Sequence, residues 1–112
     1  MLSEAKLAMQ VAEPAYDPEI ASLLMSAAND LTRAGIVFDG DVTFTTDSSG
    51  AIVDGCTVTD IAIKRALITY AQAHANWQTE SKAARFRDSY DSMKRDLKQQ
   101  TGYTNWGGEA DG

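Results

Sequence analysis

From position 18 onward the apolar residues recur at helical spacing. Ile20, Leu23, Leu24, Ala27, Ala28, Leu31 and Ala34 follow the i, i+3, i+4, i+7 rule, which gathers them on one helix face. Asp17 stands as the N-cap, with Pro18 at the first helical position and Glu19 in the first turn. Gly35 closes the helix, because a glycine accepts the left-handed conformation that ends a helix without a Cβ clash. Ahead of it, "SEAKLAMQVAE" predicts a shorter helix, with Ser3 as N-cap and Ala5, Ala8, Met9 and Ala12 on one face. Pro14 and Pro18 bracket the break between the two.

Residues 36–59 lose that period. β-Branched residues are dense, glycines recur, and Val42 and Phe44 alternate with Thr43 and Thr45. "DSSG" is a turn and "AIV" its returning strand. A lone hairpin is marginal in water, so this one should lean on a helix or a neighbouring subunit. Thr59 or Asp60 caps the next helix. Ile63, Ala66, Leu67, Tyr70, Ala71 and Trp77 line one face of it, with Ala62, Thr69 and Ala73 beside them. So broad an apolar surface marks a central helix. A short break at Gln78–Ser81 precedes the last helix, from about Glu80 to Gln100. Ala83, Phe86, Tyr90, Met93 and Leu97 form a narrow seam there, suited to packing on one other helix.

The pattern therefore predicts a mainly α fold. It is a small bundle of three to four helices with a β-hairpin-like insertion between the second and third. Residues 1–101 form the helical domain and 102–112 a flexible tail. That tail, "GYTNWGGEADG", is rich in glycine yet keeps Tyr103 and Trp106. No internal repeat has a solenoid period.

At 112 residues the chain is one domain, long enough to bury roughly two-thirds of its unfolded surface. No apolar run reaches the length of a membrane span, and no secretory leader is expected from "MLSEAKLAMQ". Cys56 is the single cysteine, which excludes an internal disulfide and fits a reducing compartment. The charge is uneven. Residues 1–59 carry nine acids and two bases, net −7; residues 60–100 carry five acids and eight bases, net +3; Glu109 and Asp111 follow. An acidic chain is poorly matched to phosphate neutralisation, so general nucleic-acid binding is disfavoured. Opposite charge on the two halves either solvates a mixed surface or favours head-to-tail contact between copies.

Chemistry is sparse. Asp39, Asp41, Asp47 and Asp54 cluster in the loop, but a calcium loop begun at Asp39, Asp41 or Asp47 puts Gly50, Ile52 or Val58 where a bidentate Glu belongs. An EF-hand is excluded on ligand order. His74 has no second ligand at metal spacing, and Cys56 has no basic neighbour in sequence. No nucleophile elbow, phosphate loop or zincin motif is present. These residues point to no enzyme, no cofactor and no metal. Lys94, Arg95 and Lys98 on the last helix interleave with Asp88, Asp91 and Asp96, which favours pairing within the helix over binding DNA phosphates.

Two stretches carry a resemblance. "LLMSAANDLTRAG" at 23–35 is one; "AIKRALITYAQAHANW" with "ARFRDSYDSMKRDLKQQTGY", at 62–77 and 84–103, is the other. In order and spacing they resemble the small head–tail connector (adaptor, head-completion) proteins of long-tailed bacteriophages. Leu23, Leu24, Ala27 and Ala28, then Ala66 and Tyr70, then Phe86, Tyr90, Met93, Leu97 and Tyr103 match that pattern over about three-quarters of the chain. The departure is the loop 36–58, longer and more β-like than the family's usual connection.

The resemblance implies a structural virion protein, assembled in the host cytoplasm and sited at the head–tail interface. Copies would form a ring, a dodecamer when assembled, below the portal vertex. The ring would bind the portal protein and a stopper or tail-completion protein. It would extend the DNA channel and help retain the packaged duplex, which passes without sequence-specific contact and with no membrane involved. Within that picture Tyr103 and Trp106 are docking anchors for the portal or a neighbouring copy. Asp39, Asp41, Asp47 and Asp54 either line the channel or contact the next ring. Arg85, Lys94, Arg95 and Lys98 supply a basic face between subunits. The rival readings are a helical interaction or regulatory domain and a small nucleic-acid-binding module.

Overall fold

The computed structural model of the chain describes residues 1–100. In order these are α1 (Leu2–Met9), a single 3-10 turn (Pro14–Tyr16), α2 (Asp17–Arg33), β1 (Phe44–Thr46), β2 (Ile52–Asp54), α3 (Ile61–His74) and α4 (Glu80–Lys98). The fold is mainly helical, with an antiparallel hairpin between the second and third helices. The expected tail residues Tyr103 and Trp106 lie outside the described residues.

The helix termini show why these segments stop and start where they do. Past Arg33, Gly35 adopts φ +90°, its N–H bonding Thr32 O at 3.0 Å while the Ile36 N–H reaches Leu31 O at 3.0 Å. That paired closure satisfies carbonyls the helix would otherwise orphan and swings Ile36 into the core, 1% exposed. At α3, Asp60 Oδ1 accepts from the Ala62 and Ile63 N–H groups, at 2.8 and 3.2 Å, as an N-cap should.

Four expected boundaries are corrected. Ser3 does not cap α1; it sits inside the helix, whose N-terminal end is held instead by Asp54 from the hairpin. The same helix ends at Met9 rather than near Glu13, because Gln10 turns left-handed at φ 60°. Its buried face is therefore Leu2, Ala5 and Met9, with Ala8 exposed. Asp17 is the first helical residue of α2 and not its cap. The 3-10 turn has already brought the backbone into helical geometry at Tyr16, and the Asp17 carboxylate instead faces the Lys6 ammonium at 2.8 Å. That contact is an ion pair off hydrogen-bond geometry, since Asp17 Oδ1 has no hydrogen-bond partner. Finally, the break before α4 is Ala75–Thr79, not Gln78–Ser81, because Thr79 caps α4 through the Lys82 N–H. Trp77, expected on the α3 face, lies in this loop.

α3 is the centre of the bundle. Ile63, Ala66, Leu67 and Ala71 are fully buried and share one core with Ile20, Leu24, Ala27 and Leu31 of α2 and with Ala5 of α1. Tyr90 and Leu97 of α4 close the other side. The hairpin leans on this core as its marginal size requires. Phe44 pairs with Asp54 and Thr46 with Ile52, and the arms stay joined beyond the strands through Gly55 N–H to Thr43 O and Thr57 N–H to Asp41 O, both 2.9 Å. Val42, Phe44 and Ile52 pack inward, while Thr45 and Val53, opposite each other, face out.

Candidate functional site

The hairpin disperses the four loop acids. Asp47 folds into its own turn: one oxygen accepts from the Ser49 N–H (2.9 Å), the Ser49 hydroxyl (2.7 Å) and the Ala51 N–H (3.0 Å). Asp54 turns to α1. Its Oδ2 accepts from the Leu2 N–H at 2.7 Å and the Met1 amino group at 2.9 Å, and its Oδ1 from the Cys56 N–H at 3.0 Å. Burial works to raise the Asp54 pKa, but these donors outweigh it and hold the carboxyl well below the ordinary range. A carboxylate at a helix N-terminus also takes up one of the first turn's unpaired N–H groups and faces the positive end of the helix dipole. Asp39 and Asp41 stay exposed, with no hydrogen bond to either carboxylate among the described residues. No group of three or more His, Cys, Asp or Glu there is arranged to hold a metal ion.

Of the four expected basic residues, Lys94, Arg95 and Lys98 stay together near the end of α4 and Arg85 stands apart. Lys94 turns inward, 3.1 Å from Asp30 on α2 and 5.2 Å from the centre of the Tyr90 ring. The expected pairing of Lys94 with acids of its own helix is thus replaced by a bond between helices. Arg95 and Lys98 are exposed and, with Lys94 and Asp91, line a shallow depression of about 530 Å³ near the end of α4. Arg85 lies near the other end of that helix, in a different groove.

That groove, of about 650 Å³, opens between the end of α1, the loop after α3 and the first half of α4. α1 stops at Met9, so it does not extend to cover this face of α4 beside α3. Met9 and Val11 form one wall, Trp77 and Phe86 the other, and Lys82 and Arg85 add two exposed cations. The wall is braced. Trp77 meets Tyr16 edge-on with ring centres 4.7 Å apart, and Glu19 accepts from both the backbone and the side-chain amide of Asn76, at 3.0 and 2.9 Å. Gln72 of α3 ties the groove to α1 by donating to Ala8 O at 3.2 Å. Sequence reasoning placed Phe86 on a buried seam and Trp77 on a helix face, and so missed this groove. Pro14 sets an outer limit on α1, but the stop at Met9 comes from Gln10 turning left-handed, which the pattern did not signal.

His74 is exposed and stacks at 4.3 Å on Tyr70. Cys56 is half-buried; burial, and then the Asp54 carboxylate, push its thiol up to about 11, away from nucleophilic character at neutral pH. No described helix is long and apolar enough to cross a membrane. No family model, curated protein or solved structure matches this chain.

Proposed function

We propose that this chain is a structural assembly protein: a subunit of a ring that joins a bacteriophage head to its tail below the portal vertex. The observation that supports the reading is where the resemblance residues fall. Leu24 and Ala27 in α2, Ala66 in α3, and Tyr90 and Leu97 in α4 are all buried, and they build one three-helix core in the order the connector pattern requires. The surface left over offers contact rather than chemistry. It carries the Trp77–Phe86 groove and the outward Leu7 and Ile61, 81% and 73% exposed.

In that role the copies assemble through unlike patches, and closed rings arise when such a head-to-tail contact repeats through a fixed rotation. Exposed Asp39 and Asp41 would present negative charge to a passing duplex and let it slide without sticking. The test is native mass across a concentration series, with negative-stain images, alone and mixed with a portal protein encoded in the same genome. A closed ring of about a dozen copies is expected, templated by the portal or formed without it. A small oligomer that ignores the portal overturns the reading and favours a regulatory interaction domain.

A further inference from the structure

We infer that the groove between α1 and α4 takes the C-terminal segment Tyr103–Asp111 of a second copy of this chain; the inference rests on the assembly reading for the identity of that partner.

The chemistry of the two parts is complementary. The groove offers apolar walls, Met9, Val11, Trp77 and Phe86, beside two cations, Lys82 and Arg85. Neither cation makes an ion pair with another described residue, and Phe86 is left partly open although it stands on the α4 seam. The segment "YTNWGGEAD" reads as the counterpart. It carries two aromatic residues, then two acids, and no cation. Trp106 and Glu109 are three residues apart, about 10 Å of extended chain, so an aromatic seated between Trp77 and Phe86 places the acids within reach of the groove's edge. Gly107 and Gly108 between them carry no side chain to obstruct a close approach. Aromatic anchors in a pocket, bordered by opposite charges, are the usual economy of a small interface.

Polarity selects a second copy as donor. The groove lies along residues 82–89, in the first half of α4, while the segment departs beyond Lys98 at the other end of the same helix. Phe86 and Lys98 are separated by about 18 Å along the axis. The groove and the point where the chain leaves α4 thus lie toward opposite ends of that helix. Such a pair is heterologous: each copy gives its segment forward and receives one behind, which is the contact a ring repeats. The chain's own segment would have to double back along α4 past Asp91, Arg95 and Lys98, all exposed.

The probe is a fluorescent synthetic peptide of residues 100–112, titrated by anisotropy against the full-length chain carrying Tyr103→Ala and Trp106→Ala, which removes competition from its own anchors. Saturable binding is expected. Adding Lys82→Glu and Arg85→Glu should weaken it about tenfold or more with the melting temperature unchanged, since both side chains are exposed. A peptide with Glu109→Lys and Asp111→Lys should then recover binding to the reversed groove. No saturable binding, or binding indifferent to the reversals, overturns the proposal. Native mass of the unaltered chain settles the donor. Concentration-dependent association that Trp106→Ala abolishes supports docking between copies. A chain that binds the peptide yet stays monomeric throughout takes its own segment, and the second-copy proposal falls. Association that stops at open chains or pairs, even with portal present, leaves the docking standing and overturns the ring.

Discussion

The Tyr90 hydroxyl on α4 donates to Asp30 Oδ2 on α2, joining two helices that both pack on α3. Lys94 reaches the same oxygen at 3.1 Å, and the Tyr90 ring meets Tyr70 edge-on at 5.2 Å. With 4% of its surface exposed, Tyr90 is both core and clasp. Tyr90→Phe keeps the ring and loses a bond to a charged partner, so a loss of about 1–2 kcal/mol is expected. Tyr90→Ala also opens a cavity and should lose about 3–5 kcal/mol. Urea unfolding of the two variants measures both; equal midpoints for Ala and wild type would contradict the burial.

Acid should weaken the fold chiefly through two partly buried carboxylates. Burial tends to raise the Asp30 pKa, but the bonds from Tyr90 and Lys94 outweigh it and leave it lowered; Asp54 is lowered further by its donors at α1. A carboxyl whose folded pKa is depressed contributes stability above its unfolded value, about 4, and loses it as pH falls toward the folded value. Melting temperature should therefore hold between neutral pH and about 5 and drop below about 4. Asp54→Asn should lower the plateau and flatten the acid limb, because the remaining amide no longer gains from ionising. A variant with the wild-type acid slope would show that Asp54 is not among the titrating groups.

Much of the fold was legible because period survives translation into burial. Ile20, Leu24, Ala27 and Leu31 are buried as their spacing requires, and Gly35 and Asp60 close and open helices by their own chemistry. What was not legible depends on residues far apart in the chain. Ser3 has a capping side chain, but Asp54 arrives from fifty-two residues beyond Leu2 and takes the task. Lys94 had acids of its own helix within reach, yet Asp30 offers a half-buried partner already bonded to Tyr90. The acids of the loop looked like a cluster by proximity in sequence, and the antiparallel hairpin turned Asp47 into its own turn and Asp54 toward α1. The groove arises from where α1 stops, a boundary that pattern alone placed four residues late.

Two glycines with positive φ should respond differently to alanine. Gly40 has φ +95°, and a Cβ there would stand 2.8 Å from the Thr57 carbonyl and from the Val58 Cα. Those are backbone atoms where the hairpin returns to the core beside buried Val58, so neither side can yield cheaply. Gly50, at φ +90° in the hairpin turn, has open space around it. Gly50→Ala should cost only the left-handed penalty, about 1–2 kcal/mol, whereas Gly40→Ala adds the clash and should exceed it clearly. Thermal unfolding of the pair reads the difference, and an equal loss would mean that the 36–42 segment shifts freely.

Cys56 tests the same corner of the molecule from its chemistry. Its Sγ lies 3.6 Å from Thr43 O, and burial and the Asp54 carboxylate hold its pKa near 11. Against a free cysteine at about 8.5, the thiolate fraction at pH 8 falls by about two orders of magnitude. The more basic thiolate is intrinsically more nucleophilic, which returns about one order, so the folded protein should react with an aromatic disulfide reagent about tenfold slower than a free thiol. Partial burial slows it further. Unfolding in urea should restore the ordinary rate. Asp54→Asn, still folded, should react faster than wild type, because it removes the nearby negative charge and loosens the α1 clasp together. A native rate equal to the unfolded one would mean that the hairpin opens faster than the reagent reacts, and that Asp54 does not hold it to α1.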